Sequence, residues 1–343
     1  LTLTSRGGGG DRVPMCGVPY HAVQGYIARL VKAGKKVALC EQVEDPKTAK
    51  GLVKRAVTRV ITPSTYVEND AETASPTLLG MFATSEEWGL ALLEPTSGRF
   101  QFWNEPECAI TDTLGQIAPS EIVATKGLAQ AAVLAAYDES GSQTAITALE
   151  DWHGGYDTSV ECIRTFFGLD SLRALELDPP TTIAVGLVLR FLQEHMQVAL
   201  PHIGLPKRLQ SGEVMLLGPV VERSLELFRP ANPDVRGKTL LDVLNEAVTP
   251  MGGRLLQHWL RSPLLSISAI EERHAAVEEF VNAPAMLEAV RAALSPVRDL
   301  ERLAARFSCR VATPKDAAAL RVSLSQFPGV IRALDPAQSR LLS

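Results

Sequence analysis

"PMCGVPYHAVQGYIARLVKAGKKVALCEQVEDP", residues 14–46, places a helical pattern directly before a strand pattern, and the reading of the first unit follows from it. Val23, Tyr26, Ile27, Leu30 and Val31 fall at i, i+3, i+4, i+7 and i+8, one face of a helix, and Gly34 supplies its stop. "KVALCEQ" then reads as a strand with Val37 and Leu39 on one face. Beyond the polar turn "EDPKTAKG", the run "AVTRVIT" from Ala56 to Thr62 is rich in β-branched residues and predicts a further strand. The result is a small mixed α/β unit. Pro63 and the acidic, polar run to Pro76 read as a linker.

Working outward, "WGLALLEPTSGRFQFW" predicts two strands around the turn Pro95, Thr96, Ser97 and Gly98, with Phe100 and Phe102 facing inward. A helix-like stretch to Gln116 leads to "PSEIVAT", a short strand opening after Pro119, and Leu128 to Ala136 and Ser159 to Phe167 look helical. An α/β layer unit is expected over residues 77–175. Strand signals then nearly vanish. "TTIAVGLVLRFLQEHMQVAL" is apolar almost all round and describes a buried helix. Thr249 is placed as an N-cap with Pro250 at the first helical position, and Ser268 and Glu271 form a capping-box pattern. Helices are further expected at Pro296 to Phe307 and Pro314 to Phe327, so residues 178–343 read as an all-helical assembly.

Composition narrows the classes. With 46% hydrophobic and 21% charged residues the chain describes packed globular material rather than disorder. Its five cysteines are scattered with no C-x-x-C, and its six histidines show no paired spacing, so no zinc site or disulfide framework is indicated and a reducing, cytoplasmic setting is expected. There is no run long enough for a membrane span and no signal pattern at the N-terminus. The start "LTLTSRGGGG" looks like mid-strand and the end "SRLLS" has no cap, which predicts a fragment at both ends. Residues 1–70 contain 11 Lys or Arg against 6 Asp or Glu, a balance of +5 in a chain whose total is −5. A basic segment on an acidic protein suits phosphate contacts, though a solvated charged face explains the same count.

Gly237, Lys238 and Thr239 imitate the end of a phosphate-binding loop. The glycine required five positions before the last one is Asn232, and Pro233 has no N–H to offer a phosphate. A linker ending at Gly237 with a helix following is the better reading. His21 is expected to cap or pack near the first helix; Trp259, Leu255 and Leu256 to pack a core; and Asp299 with Arg302 to form a helix-surface ion pair.

The quoted stretch, followed in order by "KRAVTRVITPST" (54–65), "ALPHI" (199–203), "TLLDVLNEAVTPMGGRLLQHWLRSPL" (239–264) and "VRDLERLAARF" (297–307), resembles the MutS family of DNA mismatch-repair proteins over nearly the whole chain. That resemblance implies a truncated mismatch-recognition domain (1–68), a linker (69–76), an RNase-H-like connector (77–175) and a truncated helical core and lever domain (178–343). It implies mispaired double-stranded DNA, a second MutS subunit and MutL as partners, with residence in the bacterial cytoplasm on the nucleoid and no membrane role. It also implies ATP and Mg2+ for the full-length protein, at a site beyond Ser343, and no cofactor or ATPase activity for this chain. The family's Phe-x-Glu mismatch reader, whose Phe wedges beside the mispaired base, does not occur in the sequence.

Positions matching the family's DNA-backbone contacts or their neighbours are Arg6 in "TSRG", Gln42 in "CEQV" and Arg55 in "VKRA". Lys35, Lys36 and Lys54 are weaker candidates that read as a solvated face, and Gly7 to Gly10 as a turn. The chain departs from the family at Gly218 and Ser224, and Pro219 is expected to interrupt a helix that the family continues. Two other classes stand beside this reading: an interaction scaffold with no DNA role, and a nucleotide hydrolase using Gly237, Lys238 and Thr239.

Overall fold

The chain begins with two strands, β1 (Leu3–Arg6) and β2 (Val13–Cys16), paired antiparallel. A computed structural model describes residues 3–6, 13–16, 18, 22–44, 53–66, 76–139, 144–196, 200–209, 214–215, 217–230 and 238–342. The amphipathic helix α1 (Val23–Lys32) buries Ile27 and Val31 against Ile61, with Val23, Val37 and Leu39 alongside. Gly34 ends it at φ 71°, where the N–H groups of Gly34 and Lys35 turn back to the carbonyls of Val31 and Leu30, each at 2.9 Å. Strands β3 (Val37–Gln42) and β4 (Arg55–Ile61) form an antiparallel ribbon in which Val37 opposes Ile61 and Gln42 opposes Arg55.

The next unit is a six-stranded sheet. Strands β5 (Leu78–Ala83), β6 (Trp88–Glu94) and β7 (Arg99–Glu105) run antiparallel, while β8 (Glu121–Thr125) and β9 (Ala145–Leu149) follow in parallel from β5. One face is covered by α2 (Ile110–Ile117) and α4 (Ala132–Glu139), with a single turn of helix, α3 (Lys126–Ala129), between β8 and α4. The other face is covered by α6 (Pro179–Met196), on which α5 (Tyr156–Phe167) packs. A short strand, β10 (Lys207–Arg208), joins the edge beside β7, giving the order β10-β7-β6-β5-β8-β9.

Alternation along the strands sorts the two faces. Leu79 and Met81 of β5 point to the α2 and α4 side, whereas Leu78 points to the α6 side. On that second side Gly80 and Gly89 lack the side chains that would keep a helix at normal distance. A Cβ on Gly80 would fall 2.4 Å from the Ala184 carbonyl oxygen, and one on Gly89 would fall 2.2 Å from the Pro180 carbonyl carbon. Helix α6 therefore lies almost on the strand backbones. It is buried all round, as its composition predicts, but between the sheet and α5. Helix α6, which follows residue 178, packs on the sheet rather than on the helices further along the chain.

The helical remainder comprises α7 (Pro219–Ser224), α8 (Leu240–Leu244), α9 (Pro250–Arg261), α10 (Ile267–Asn282), α11 (Pro284–Leu294), α12 (Leu300–Ser308) and α13 (Pro314–Leu334). Thr249 caps α9 as expected, its hydroxyl oxygen accepting the Gly252 N–H at 3.2 Å. Pro219 opens α7 instead of interrupting a helix, since the first turn leaves no hydrogen bond for its missing N–H to break. The cap of α10 is Ser266, not Ser268; Ser268 is already within the helix. Leu255 and Trp259 are 41% and 37% exposed, so the expected core role fails for both, and the Trp259 ring is covered by the Arg273 guanidinium at 4.0 Å. Asp299 and Arg302 form the expected i, i+3 ion pair, at 3.5 Å, but not on the helix surface. Both are largely buried, and Asp299 caps α12 while holding Arg254 from α9. No helix among the described residues is long and apolar enough to cross a membrane.

Candidate nucleic-acid interface

The β3–β4 ribbon has a buried root and an open end. Burial along β4 deepens toward Ile61, and along β3 the only sheltered side chains are Val37 and Leu39, the pair that meets α1. From Cys40 to Gln42 and from Arg55 to Thr58 the side chains are exposed. At the tip, Gln42 and Arg55 are direct cross-strand partners, so an amide and a guanidinium are presented from one end of one ribbon. The pairing continues one step beyond the strands, where the Val43 N–H donates to the Lys54 carbonyl at 3.0 Å. The Lys54 N–H donates to the Glu44 carboxylate at 3.2 Å.

The structure thus brings together two of the three sequence candidates. Arg6 is on β1, opposite Val13, in a separate strand pair, and its side chain lies outside the described residues. Gly7 to Gly10, His21 and Gly237 lie outside them as well.

Charge at the tip is mixed, since Glu41 and Glu44 stand near Lys54 and Arg55. Other basic groups of the segment are already engaged. Arg29 lies over the Tyr26 ring at 4.4 Å and also donates to the Gly25 carbonyl. Lys36 stays on the solvated face expected for it, its side chain 35% exposed, yet its ammonium meets the fully buried Glu121 at 3.5 Å and donates to the Thr147 hydroxyl. Lys35 and Lys36 both stay exposed as expected, but Lys36 is also tied to a carboxylate. The net +5 of the segment therefore overstates what a phosphate would meet.

Two further places, at Thr239 and beside α9, carry polar or charged groups. Thr239 is buried and caps α8, accepting the Asp242 N–H at 3.1 Å and donating to the Asp242 carboxylate at 2.8 Å. A hydroxyl committed to a reciprocal capping box is not poised to ligate a nucleotide-bound metal, which counts against the phosphate-loop reading. A cleft of about 400 Å³ separates the β6–β7 turn from α9, lined among others by Arg99, Arg254 and Arg261. Each of these arginines faces a carboxylate, Glu94 at 3.9 Å, Glu301 at 2.6 Å and Glu222 at 3.0 Å, so the cleft offers no uncompensated cation. His258 beside it is held below its ordinary pKa by desolvation and by the nearby Arg99.

Comparison with known proteins agrees along the chain. Residues 1–70 match the family profile described as MutS domain I, residues 74–204 that of MutS domain II and residues 222–343 that of MutS domain III. A protein of Symbiobacterium thermophilum named DNA mismatch repair protein MutS is 38% identical over 356 residues, covering 100% of this chain and 40% of that protein. The namesake from Myxococcus xanthus is 37% identical over 100% of this chain and 39% of its own length. That from Pelotomaculum thermopropionicum is 38% identical over 96% of this chain and 39% of its own length. The chain thus spans about 40% of the length of these relatives.

Proposed function

Because the chain belongs to the MutS family of DNA mismatch-repair proteins, matched domain by domain, we propose that its N-terminal unit helps hold a duplex carrying a mispair. The observation that carries this reading is the juxtaposition of Gln42 and Arg55 at the exposed end of the β3–β4 ribbon. A guanidinium and an amide are both able to donate to phosphate oxygens, and such contacts position a duplex without reading its sequence. Arg6 joins them as a backbone contact on the family resemblance alone. Discrimination between mispaired and paired DNA needs a wedge that unstacks a base step, and neither ribbon residue is one.

The domain scheme is part of the same proposal. The sheet unit serves as the connector, its strand order and mixed directions supporting an RNase-H-like fold, and the packing of α6 and β10 carries it to about residue 209. The helical remainder serves as the core from which a lever arm would rise. The whole protein works as a dimer with MutL as a downstream partner, on the bacterial nucleoid in the cytoplasm. ATP and Mg2+ are bound in that whole protein outside this stretch, a reading supported by the engagement of Thr239.

Fluorescence-anisotropy titration tests the DNA role, using a duplex with one G·T mispair and its matched control at two salt concentrations. Equal, steeply salt-dependent binding to both duplexes is expected. Arg55→Ala should weaken it about tenfold and reduce the salt slope by about one, the signature of a single lost phosphate contact. A clear preference for the mispair would overturn the view that discrimination lies outside this chain. Absence of binding at any salt would favour the scaffold reading.

A further inference from the structure

At the root of the ribbon, opposite its exposed tip, the Glu121 carboxylate gathers donors from two units. Glu121 is the first residue of β8 and has no exposed surface. The Ser64 hydroxyl donates to its Oε2 at 2.7 Å, with the Ser64 N–H at 3.4 Å. The Thr147 hydroxyl of β9 donates to Oε1 at 2.6 Å, and the Lys36 ammonium stands 3.5 Å from the same oxygen. Lys36 immediately precedes β3, and Ser64 lies in the turn that follows β4. Both ends of the ribbon root, where Val37 opposes Ile61, therefore converge on one carboxylate belonging to the sheet unit.

The turn that offers Ser64 is itself fixed. The Thr62 N–H donates to the Thr65 hydroxyl at 2.9 Å, the Thr65 N–H returns to the Thr62 carbonyl at 3.1 Å, and the Thr62 and Ser64 hydroxyls share a hydrogen bond at 3.2 Å. Thr62, Ser64 and Thr65 are all essentially inaccessible to water. A buried carboxylate is a poor way to gain stability, since an apolar residue of similar size would avoid its desolvation. What a carboxylate supplies and an apolar contact does not is direction, because each donor must arrive along a lone pair.

We propose that Glu121 is the positioning residue that fixes the angle of the β3–β4 ribbon on the connector sheet, so that Gln42 and Arg55 are held where duplex backbone will pass. This rests on the DNA reading of the ribbon tip given above. Leverage makes the root decisive. From Val37 to Gln42 the ribbon is about 17 Å long at 3.4 Å per residue, so about 10° of slack at the root moves the tip about 3 Å, a full hydrogen-bond length. Tight donors at the root are therefore worth a phosphate contact at the tip, although no atom of Glu121 approaches DNA.

The experiment uses the whole 343-residue chain and two thiols already in place. Cys40 is exposed on β3 and Cys108 is exposed on the sheet unit, while Cys162 and Cys309 are buried. With Cys16→Ser, spin labels on Cys40 and Cys108 report the ribbon-to-sheet distance by electron double resonance without DNA. Glu121→Gln should broaden that distribution by about 3 Å, the slack worked out above, and weaken duplex binding about tenfold. Lys36→Met and Ser64→Ala, which remove donors and bury no new charge, should each broaden it less, and they serve if Glu121→Gln does not fold. Added to Arg55→Ala, Glu121→Gln should weaken binding little further, since the contact it positions is already gone; a merely structural loss would add in full.

An unchanged distance distribution in Glu121→Gln and in both donor variants refutes the positioning role. A broadened distribution with DNA binding untouched by either Glu121→Gln or Arg55→Ala leaves the root clamp standing as a structural joint and overturns its role in DNA positioning together with the DNA reading of the tip.

Discussion

Removal of the Arg254 guanidinium should unlock the helical half of the chain. Arg254 projects from α9 with its side chain only 12% exposed and reaches Asp299 through both terminal nitrogens, at 2.7 and 2.8 Å, and Glu301 at 2.6 Å. Burial lowers its pKa and the two carboxylates more than offset this, pushing it above the ordinary value. Unit charges about 4 Å apart interact by about 4 kcal/mol at an effective dielectric of about 20. Glu301 is 37% exposed and screened by water, so Asp299 provides most of the effect. Removing one member of a buried pair costs about 3–5 kcal/mol because the other charge is left stranded. Asp299 retains the Arg302 backbone N–H at 3.2 Å and its guanidinium at 3.5 Å, which places Arg254→Ala near the lower end, about 3 kcal/mol. Hydrogen exchange of α9 and α12 amides across a urea series measures this, with α6 as the internal control in a different unit. Arg254→Met combined with Asp299→Asn should recover at least about half of the loss, since the stranded charge disappears while asparagine still caps α12. A loss below about 1 kcal/mol, or no recovery in the double variant, would refute the argument that a desolvated charge pair joins these helices.

Two further outcomes follow from the same contacts and from the sheet. Desolvation raises the Asp299 pKa, but Arg254 and the Arg302 N–H hold it below the ordinary carboxylate value in the folded chain. Its stabilising contribution is then present above the unfolded value of about 3.9 and is lost as pH falls through the lower folded value, so Asp299→Asn should flatten the acid limb of α12 protection below about pH 4. An acid limb as steep as wild type would count against it. Gly89→Ala places a methyl 2.2 Å from the Pro180 carbonyl carbon, and α6 must move off the sheet. Thermal unfolding followed by circular dichroism should show a loss of about 1–3 kcal/mol, the usual range for an overpacked core, and an unchanged melting temperature would mean that α6 does not depend on this approach.

Sequence periodicity served the fold well where one face is buried and the other is wet. Helix α1 and the β3–β4 ribbon were legible because apolar residues recur at helical and strand spacing on one side only. Strand β5, "LLGMFA", was not, since a strand covered on both faces shows no alternation. The same limit displaced α6: an all-apolar helix announces burial without saying whether a sheet or other helices bury it. Gly80 and Gly89 were the missed signal, two gaps on one face of neighbouring strands that let a helix approach. The Thr249 cap and the pair of Asp299 and Arg302 are legible from local patterns, whereas the burial of that pair is not, because its decisive partner, Arg254, is 45 residues away.

The site divides along the same line. Gln42 and Arg55 were found separately, by likeness to a family, and only the register of the ribbon makes them neighbours. Lys36 shows why charge counting could not finish the task. In the sequence it is one of two adjacent lysines indistinguishable by composition; both are exposed, and only the folded structure shows that Lys36 also meets Glu121. Removing Lys36 from the charges available to phosphate gives the buried carboxylate at the ribbon root its only cation contact among the ion pairs described. The same residue thus lowers the electrostatic attraction that the basic segment promises and ties the ribbon root to the sheet unit. A surface that binds a duplex by few contacts gains more from fixed geometry than from one more mobile charge, because an ordered contact spends less of its energy on immobilising the side chain when DNA arrives.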